Sequence, residues 1–211
     1  MMEKKEGIAV YIYRMQDKRD DKSQSPLFLS RAAARYAFGE GGEGPSKEAS
    51  FRVEKGLRGK PYFPEYPWLH FSISHSGDFW ACAMAAQEVG LDLQQHTKGR
   101  REHISKRFFH PLENEYLKKN NYRDFFDVWA AKESYVKFTG SGIGEDFGGF
   151  SAASEDGLAK EINGIQLRSI PFSPDYSLCL CAKEIQNVSL YYENACLYGI
   201  SCAIVIWRDE I

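Results

Sequence analysis

The chain has 211 residues, and its 27 lysines and arginines against 29 aspartates and glutamates give a formal net charge of −2 at pH 7. This near balance argues against a nucleic-acid-binding protein whose whole surface is basic, and a charged fraction of 27% is ordinary for a folded rather than a disordered chain. No apolar run approaches the length of a membrane span and no signal peptide is recognisable, so we expect a cytoplasmic protein without membrane or nucleic-acid partners.

The first half of the chain is predicted to contain one helix among strands. β-Branched and aromatic residues predict a strand at 7–13, and an alanine-rich segment ended by Gly39 predicts a helix at 27–38. The glycine-rich segment 39–44 is interpreted as a loop, because no Lys-Ser/Thr follows it as in a phosphate-binding loop. A meander of three strands follows, at residues 69–74, 79–86 and 89–93.

The second half begins with a basic stretch and continues with a long helix. The basic stretch starts at Lys98, ends at Arg107 and contains five Lys/Arg residues against one Glu. Asp124 is predicted to cap a helix that runs through Thr139, where Gly140 suits the C-terminal stop. The last third returns to predicted strands at residues 166–169, 177–182, 188–192 and 200–207.

Two ten-residue segments resemble each other, at residues 76–85 and 173–182. Ser76 matches Ser173, and Asp78 and Cys82 match Asp175 and Cys179 at the same offset. The repeat predicts two related α+β lobes, each an antiparallel sheet packed with a helix. A site between the lobes would draw Asp92 from one and Glu133 from the other, because ligand pockets favour such interfaces.

The five cysteines form no CxxC pair, which favours reduced and mostly buried residues over a metal or redox site. They are Cys82, Cys179, Cys181, Cys196 and Cys202.

Two short segments contain residues that could bind a metal. Asp92 and Gln94 share one face of a predicted strand, where their oxygens could hold a hard cation such as Mg²⁺, although taken alone the exposed edge of a half-buried strand is the more typical explanation. Glu133 and Lys137 lie four residues apart on the predicted helix, which alone is typical of a surface ion pair worth about 0.3–0.5 kcal/mol. Taken singly, Lys60 and His75 would pass as loop residues and Glu113 as an exposed carboxylate at a helix start.

The order of the motifs favours a functional interpretation. GKP at 59–61, SISHSG at 72–77, GLDLQ at 90–94, RFFHPLE at 107–113 and WAAKESYVKFTGSG at 129–142 follow one another in the chain. In this order they resemble the Sfp-type 4′-phosphopantetheinyl transferases, which move the 4′-phosphopantetheine arm of coenzyme A to a serine of a carrier protein. The resemblance implies a pseudo-dimer of two similar α+β lobes, at residues 1–104 and 105–211, with coenzyme A and Mg²⁺ in the cleft.

The resemblance also implies a role for each matching residue. Asp92, Glu133 and Gln94 would ligate Mg²⁺, Lys137 would stabilise the leaving phosphate, and Glu113 or Glu133 would act as base. The implied contacts to coenzyme A come from Lys60, Pro61, Ser74, His75, Lys132 and Lys137, with Gly140 and Gly142 as a turn behind the helix.

One residue departs from the family pattern, and one group of residues is not assigned. Gln94 stands where the family has a second metal carboxylate, so the site has one negative charge fewer, and a relative that binds coenzyme A without turnover is the alternative. The basic clamp near the N-terminus is not placed, and Lys18, Arg19, Lys22 and Arg31 are its candidates. The resemblance implies a monomer that docks an acidic acyl, peptidyl or aryl carrier domain between Lys98 and Arg107; it does not say which pathway is served.

Overall fold

The structure is a computed structural model and describes residues 7–15, 21–39, 51–56, 58–142, 145–193 and 202–205. The helices are α1 (Asp21–Phe38), α2 (Arg101–Phe108), α3 (Pro111–Lys119) and α4 (Phe125–Thr139), and a 3₁₀ turn covers Glu145–Gly148. The strands are β1 (Ile8–Arg14), β2 (Glu54–Lys55), β3 (Pro61–Tyr62), β4 (His70–Ser76), β5 (Phe79–Ala85), β6 (Val89–Gln95), β7 (Ala153–Ser154), β8 (Gly157–Leu158), β9 (Glu161–Ile162), β10 (Ile165–Ser169), β11 (Tyr176–Ala182), β12 (Val188–Glu193) and β13 (Cys202–Val205).

A five-stranded sheet in the order β13-β12-β1-β5-β4 forms one layer, with α1 against its outer face. β1 alternates between two cores, because Val10 and Ile12 point to the layer between the sheets while Tyr11 and Tyr13 pack with Phe28 of α1. A strand buried on both faces is therefore apolar almost throughout. The pairing of β1 with β12 is parallel, whereas its pairing with β5 is antiparallel, so this sheet is mixed rather than purely antiparallel as predicted.

A second, four-stranded sheet in the order β6-β11-β10-β9 carries α4 on its face. The helix approaches β6 very closely at Gly90. A Cβ atom added to Gly90 would lie 1.9 Å from the carbonyl oxygen of Ser134, which is far inside any real contact. Glycine at this position therefore allows α4 to press on the strand that carries Asp92.

The two sheets exchange strands. β6 follows β5 in the chain but pairs with β11 in the second sheet, and β12 follows β11 but pairs with β1 in the first sheet. The repeated segments occupy equivalent places, since β5 and β11 each begin with a half-buried residue and continue with six buried ones. The fold is α+β as predicted, and the proposed lobe boundary near residue 104 stays a prediction.

Most predicted elements in the described residues are confirmed within a few residues. α1 begins earlier than predicted and includes Pro26. α4 ends as predicted at Gly140, whose φ of 69° is left-handed. Asp124 stands at the helix start but gives no side-chain cap, because its carboxylate accepts hydrogen bonds from Tyr116 and Asn120 instead. The predicted loop at 40–44 and the ends of the predicted strand at 200–207 lie outside the described residues, as do Lys18 and Arg19.

Within the described ranges, no helix is long and apolar enough to cross a membrane. Cys82, Cys179 and Cys181 are buried free thiols, as expected, and burial raises the pKa of each. Cys196 lies outside the described residues.

Candidate active site

Asp92 lies at the centre of a polar cluster on β6. Its side chain is almost fully buried, with the residue 5% exposed. Oδ1 accepts a hydrogen bond of 2.6 Å from Lys137 Nζ and one of 2.8 Å from Ser74 Oγ. Oδ2 is also buried, and none of the described residues donates to it. One oxygen of this carboxylate is thus held by the protein while the other is left for a ligand.

α4 brings Glu133 and Lys137 to this cluster. The two residues are one helical turn apart, which places both side chains on the face that packs on β6. Lys137 pairs with Asp92 rather than with Glu133, so the simple surface ion pair within the helix is not what the structure has. Lys137 is 28% exposed at its side chain and remains accessible from the cleft.

The electrostatics show two carboxylates held close together. Burial, and next the charge of Asp92, raise the pKa of Glu133 to about 7, and Lys137 opposes this rise. Burial also raises the pKa of Asp92, against the ion pair with Lys137. Such a raised pKa favours a bound cation, because a cation relieves the repulsion between the two charges.

These residues fit a magnesium ion. The described part of the chain contains no group of three or more His, Cys, Asp or Glu side chains that could hold a metal by itself. Mg²⁺ needs fewer, because it is commonly bound through one or two carboxylates with waters and substrate phosphates completing the shell. The unpartnered Oδ2 of Asp92 and the carboxylate of Glu133 are donors of that kind.

A cleft of about 390 Å³ opens beside this cluster. It is lined on one side by α4 through Glu133 and Lys137, and on the other by the segment that contains Lys60 and Pro61. Gly140 and Gly142 also line it, in agreement with the predicted glycine turn behind the helix. A second cleft of about 590 Å³ shares Lys60, Pro61 and Gly140 with the first and continues past Phe71.

The predicted coenzyme A contacts on β4 lie at different depths. Ser74 is buried and forms part of the Asp92 cluster, where it also accepts a 3.0 Å hydrogen bond from Lys137. His75 follows it on the exposed side of the strand. Gln94 is half-buried on the same strand as Asp92, and its amide nitrogen makes only a long hydrogen bond of 3.4 Å to the Gln95 carbonyl.

Glu113 and Lys132 form a separate buried pair. Both side chains are 0% exposed, and Lys132 Nζ lies 3.0 Å from Glu113 Oε1. Glu113 also accepts from the backbone N–H groups of Ala152 and His110, the second as part of a capping box at the start of α3. Neither residue lines the two clefts just described. The structure therefore does not bring these two residues to the surface at which the resemblance placed them.

Lys132 is further enclosed by aromatic rings. Its ammonium donates 2.7 Å to the Phe150 carbonyl and lies 4.1 Å from the centroid of the Phe150 ring. The rings of Phe147 and Phe109 lie within 4.9 and 5.7 Å. Cation–π contacts of this kind stabilise a desolvated ammonium.

The basic stretch between Lys98 and Arg107 forms the approach to α2 and most of that helix. Most of its charged side chains are exposed, and Lys106 pairs with Glu102 at 2.7 Å along the helix. Arg101 lies over the Phe126 ring at 4.8 Å. Next to this stretch, Phe108 and Leu112 are exposed hydrophobic residues.

Two residues with a clear position at the clefts were not found from the sequence. Glu88, in the turn before β6, binds Lys60 and His70 at 2.5 and 3.0 Å. Arg58 is exposed and lines both clefts. Arg58 stands two positions before Lys60 in the sequence, and this short spacing could have indicated that it lies at the same site. The pairing of Glu88 with Lys60 could not be predicted in this way, because it depends on the tertiary fold.

The α+β fold places two carboxylates and a lysine beside one cleft, a set of groups suited to an enzyme that acts on phosphates. Residues 88–186 match the model of the 4′-phosphopantetheinyl transferase superfamily. A 4′-phosphopantetheinyl transferase of Bacillus subtilis is 33% identical over 164 residues, which cover 73% of this chain and 70% of the relative. The 4′-phosphopantetheinyl transferase Sfp of Bacillus subtilis strain 168 is 34% identical over 134 residues, or 59% of each chain. The chain belongs to the 4′-phosphopantetheinyl transferase superfamily.

Proposed function

We propose that this protein transfers 4′-phosphopantetheine from coenzyme A to a serine of an apo carrier protein. The observation that carries the proposal is the position of Glu133 and Lys137 at one cleft, with Asp92 paired to Lys137 beside it, in a chain of this superfamily. Each of the three has a chemical task that the transfer requires. Phosphoryl-type transfer depends mainly on alignment and charge neutralisation, and these residues supply both.

The transfer proceeds by displacement at phosphorus. The serine hydroxyl oxygen of the carrier bonds to the β-phosphorus of coenzyme A, and the bond from that phosphorus to the bridging pyrophosphate oxygen breaks. Adenosine 3′,5′-bisphosphate leaves with the electron pair. Lys137, whose ammonium reaches the cleft, stabilises the negative charge that develops on this leaving group.

Asp92 and Glu133 are proposed to hold Mg²⁺, with Gln94 as an auxiliary ligand. When bound, the ion would neutralise charge on the pyrophosphate oxygens and so favour cleavage of the bond between the β-phosphorus and the bridging oxygen. Because Oδ1 of Asp92 is fixed by Lys137 and Ser74, its Oδ2 is held in place for this ligand.

The serine proton needs an acceptor, and Glu133 suits this role better than Glu113. Glu133 lines the cleft, where the serine of a bound carrier protein can reach its carboxylate. Glu113 is 0% exposed and already accepts hydrogen bonds on both oxygens. We therefore assign Glu113 and Lys132 to holding α4 in place rather than to contact with the substrate.

The nucleotide end of coenzyme A is proposed to bind at the wall formed by Lys60 and Pro61, with His75 nearby at the end of β4. The acidic carrier protein is proposed to dock on the exposed cations between Lys98 and Arg107, with the apolar surface of Phe108 beside them.

Gln94 favours one alternative, a protein that binds coenzyme A without turnover. One experiment distinguishes the two functions. The protein is incubated with an apo carrier protein, coenzyme A and Mg²⁺, and the mass of the carrier is then measured. A gain of one phosphopantetheine supports the transferase. Binding of coenzyme A by calorimetry without any mass gain, tested on several carriers, would support the alternative and contradict the transferase.

A further inference from the structure

The short segment before β3 carries two cations with very different surroundings. Lys60 and Arg58 both line the 390 Å³ and 590 Å³ clefts. Both also pack against the C-terminal end of α4, since a Cβ atom added to Gly140 would lie 3.6 Å from Cβ of Lys60 and 3.7 Å from Cβ of Arg58. Both side chains therefore begin beside the same end of α4, at the edge of the clefts.

The donors of Lys60 are already used inside the protein. Its ammonium donates to the Phe138 carbonyl at 2.9 Å, to the Val89 carbonyl at 3.2 Å and to Glu88 Oε2 at 2.5 Å. An ammonium group has three N–H donors, so these three acceptors account for all of them. The Phe138 carbonyl belongs to the last turn of α4, where carbonyls lack partners within the helix and favour a cation.

Glu88 also cancels the charge of Lys60. A hydrogen bond from His70, and next the contact with Lys60, lower the pKa of Glu88 to about 2 despite its partial burial. Glu88 is therefore an anion at neutral pH and stays paired with Lys60 and His70. A phosphate that approached Lys60 would have to displace a carboxylate that is already bound.

Arg58 has no such partner. Its side chain is exposed, and it makes no ion pair or hydrogen bond with any other described residue. Among the described cations of the cleft walls, Lys60 is paired with Glu88 and Lys137 with Asp92, which leaves the guanidinium of Arg58 available. A guanidinium binds a phosphate through two parallel N–H donors, which suits a terminal phosphate better than an ammonium does.

We infer that Arg58 binds the 3′-phosphate of coenzyme A, while Lys60 serves to hold the segment against α4. The inference rests on the proposed function, because it takes coenzyme A as the ligand. Arg58 packs beside Gly140, about one turn or roughly 5 Å beyond Lys137 along α4. With the pyrophosphate at Lys137 and Glu133, a cation anchored one turn further along α4 is placed to meet a second phosphate group of the ligand, the 3′-phosphate.

The test compares coenzyme A with dephospho-coenzyme A, which differs only in lacking the 3′-phosphate. Calorimetric titrations with Mg²⁺ and without carrier protein measure the Kd of each ligand for the wild type, Arg58→Gln, Arg58→Lys and Arg123→Gln. Arg123 is the matched control, because it is also exposed but precedes α4, and a 15-residue helix separates it from Gly140 by about 22 Å.

Arg58→Gln is expected to weaken coenzyme A about tenfold, equivalent to about 1.4 kcal/mol, and to leave dephospho-coenzyme A nearly unchanged. Arg58→Lys should lose less affinity for coenzyme A, because it keeps the positive charge but not the two parallel N–H donors. Arg123→Gln should bind both ligands like the wild type. Equal losses for the two ligands, or no loss of coenzyme A binding in Arg58→Gln, would overturn the inference and leave the proposed function intact. A wild type that binds no coenzyme A would instead overturn the proposed function.

Discussion

α4 contributes two lysines to two buried ion pairs, and the pairs differ in what they leave unsatisfied. Lys132 and Glu113 are both fully enclosed, and the structure supplies further partners to each, two backbone N–H groups to Glu113 and a carbonyl and three rings to Lys132. Lys137 and Asp92 form the same chemical pair at the cleft, but Asp92 Oδ2 has no described partner and Lys137 is partly exposed. A pair whose hydrogen bonds are complete stabilises the fold, whereas a pair with an unused buried oxygen is prepared for a ligand.

The neighbouring Glu133 increases this contrast. Burial, and next the charge of Asp92, raise the pKa of Glu133, so a second negative charge at this position costs free energy in the absence of a cation. No such repulsion occurs at Glu113, the single acidic side chain of its pair. The protein thus has one site where electrostatic complementarity is satisfied and one where a cation and a phosphate would complete it.

Removing the unused oxygen of Asp92 should have the largest effect. Asp92→Asn keeps the shape of the side chain but removes its charge, and we expect phosphopantetheine transfer to fall by about 1,000-fold or more, equivalent to about 4 kcal/mol. The melting temperature should not fall, because burial already disfavours the charged form of Asp92. The rate of carrier modification, measured by mass spectrometry, checks this.

Asp156→Asn is the control for this change, because Asp156 is an exposed carboxylate on the turn between β7 and β8. It should leave the rate unchanged. If Asp92→Asn transferred phosphopantetheine at the rate of Asp156→Asn, the metal site would have to lie elsewhere.

Breaking the complete pair should have the largest effect on stability. Lys132→Met leaves Glu113 as an uncompensated buried charge, which typically costs about 3–5 kcal/mol. In a domain of this size we expect the melting temperature to fall by roughly 2–4 °C for each kcal/mol. Thermal unfolding followed by circular dichroism measures the change, and Glu113→Gln added to Lys132→Met should recover part of it.

The paired experiment is Lys137→Met, which breaks the incomplete pair. It should lower transfer strongly but the melting temperature less, because Lys137 is already partly exposed and Asp92 keeps its hydrogen bond from Ser74. Folded Lys132→Met should still bind coenzyme A nearly as well as the wild type. If instead it lost coenzyme A binding while folded, Lys132 would contact the ligand, as the resemblance implied.

Only part of the contrast between the two ion pairs could be predicted from the sequence. Asp92, Glu133 and Lys137 could be placed by local periodicity, since a strand fixes the face of Asp92 and a helix puts Glu133 and Lys137 one turn apart. The burial of Lys132 could not, because it depends on how α3 and the segment around Phe150 close over the far side of α4. The helices α1 and α4 and the longer strands were predicted for the same local reasons, whereas α2 was not predicted as a helix.

Contacts between residues far apart in the chain could not be predicted from local sequence patterns. β6 pairs with β11 although more than eighty residues separate them, and Glu88 meets Lys60 from another turn of the chain. Local patterns therefore indicate which side chains share one face of a strand or helix, but not which residues neutralise one another.

A smaller effect is expected in the pH dependence of stability, through the carboxyl group of Glu133. The pKa of Glu133 is raised from 4.5 to about 7 in the folded protein, so the folded state binds more protons than the unfolded state between these values. The free energy of unfolding of the metal-free protein should consequently fall as pH rises from 4.5 to about 7. Glu133→Gln should lack this part of the loss, so its stability relative to the wild type should increase through the window and level off above it.

Urea unfolding in the presence of a chelator, at a series of pH values, measures the difference between wild type and Glu133→Gln. Taking the difference removes the contribution of groups that both proteins share, although part of the effect belongs to the coupled pair with Asp92. Mg²⁺ should reduce the wild-type slope, because the ion favours both carboxylates in the ionised form. An equal pH dependence in the two proteins would mean that Glu133 is not under this strain.

Gln94 should show the smallest effect, and it tests how few charges the site needs. The residue is half-buried on the strand of Asp92, with only a long hydrogen bond to Gln95, so its amide is not tightly held for a metal. Two carboxylates with phosphate oxygens are sufficient for Mg²⁺, and a water can take the place of a neutral ligand. Gln94→Ala should therefore keep measurable transfer, while Gln94→Glu should add a charge and reach saturation at a several-fold lower Mg²⁺ concentration. Mg²⁺ titrations of carrier modification distinguish these outcomes. A Gln94→Ala protein as inactive as Asp92→Asn would show that the amide is an obligate ligand, and the site would then need three protein donors rather than two.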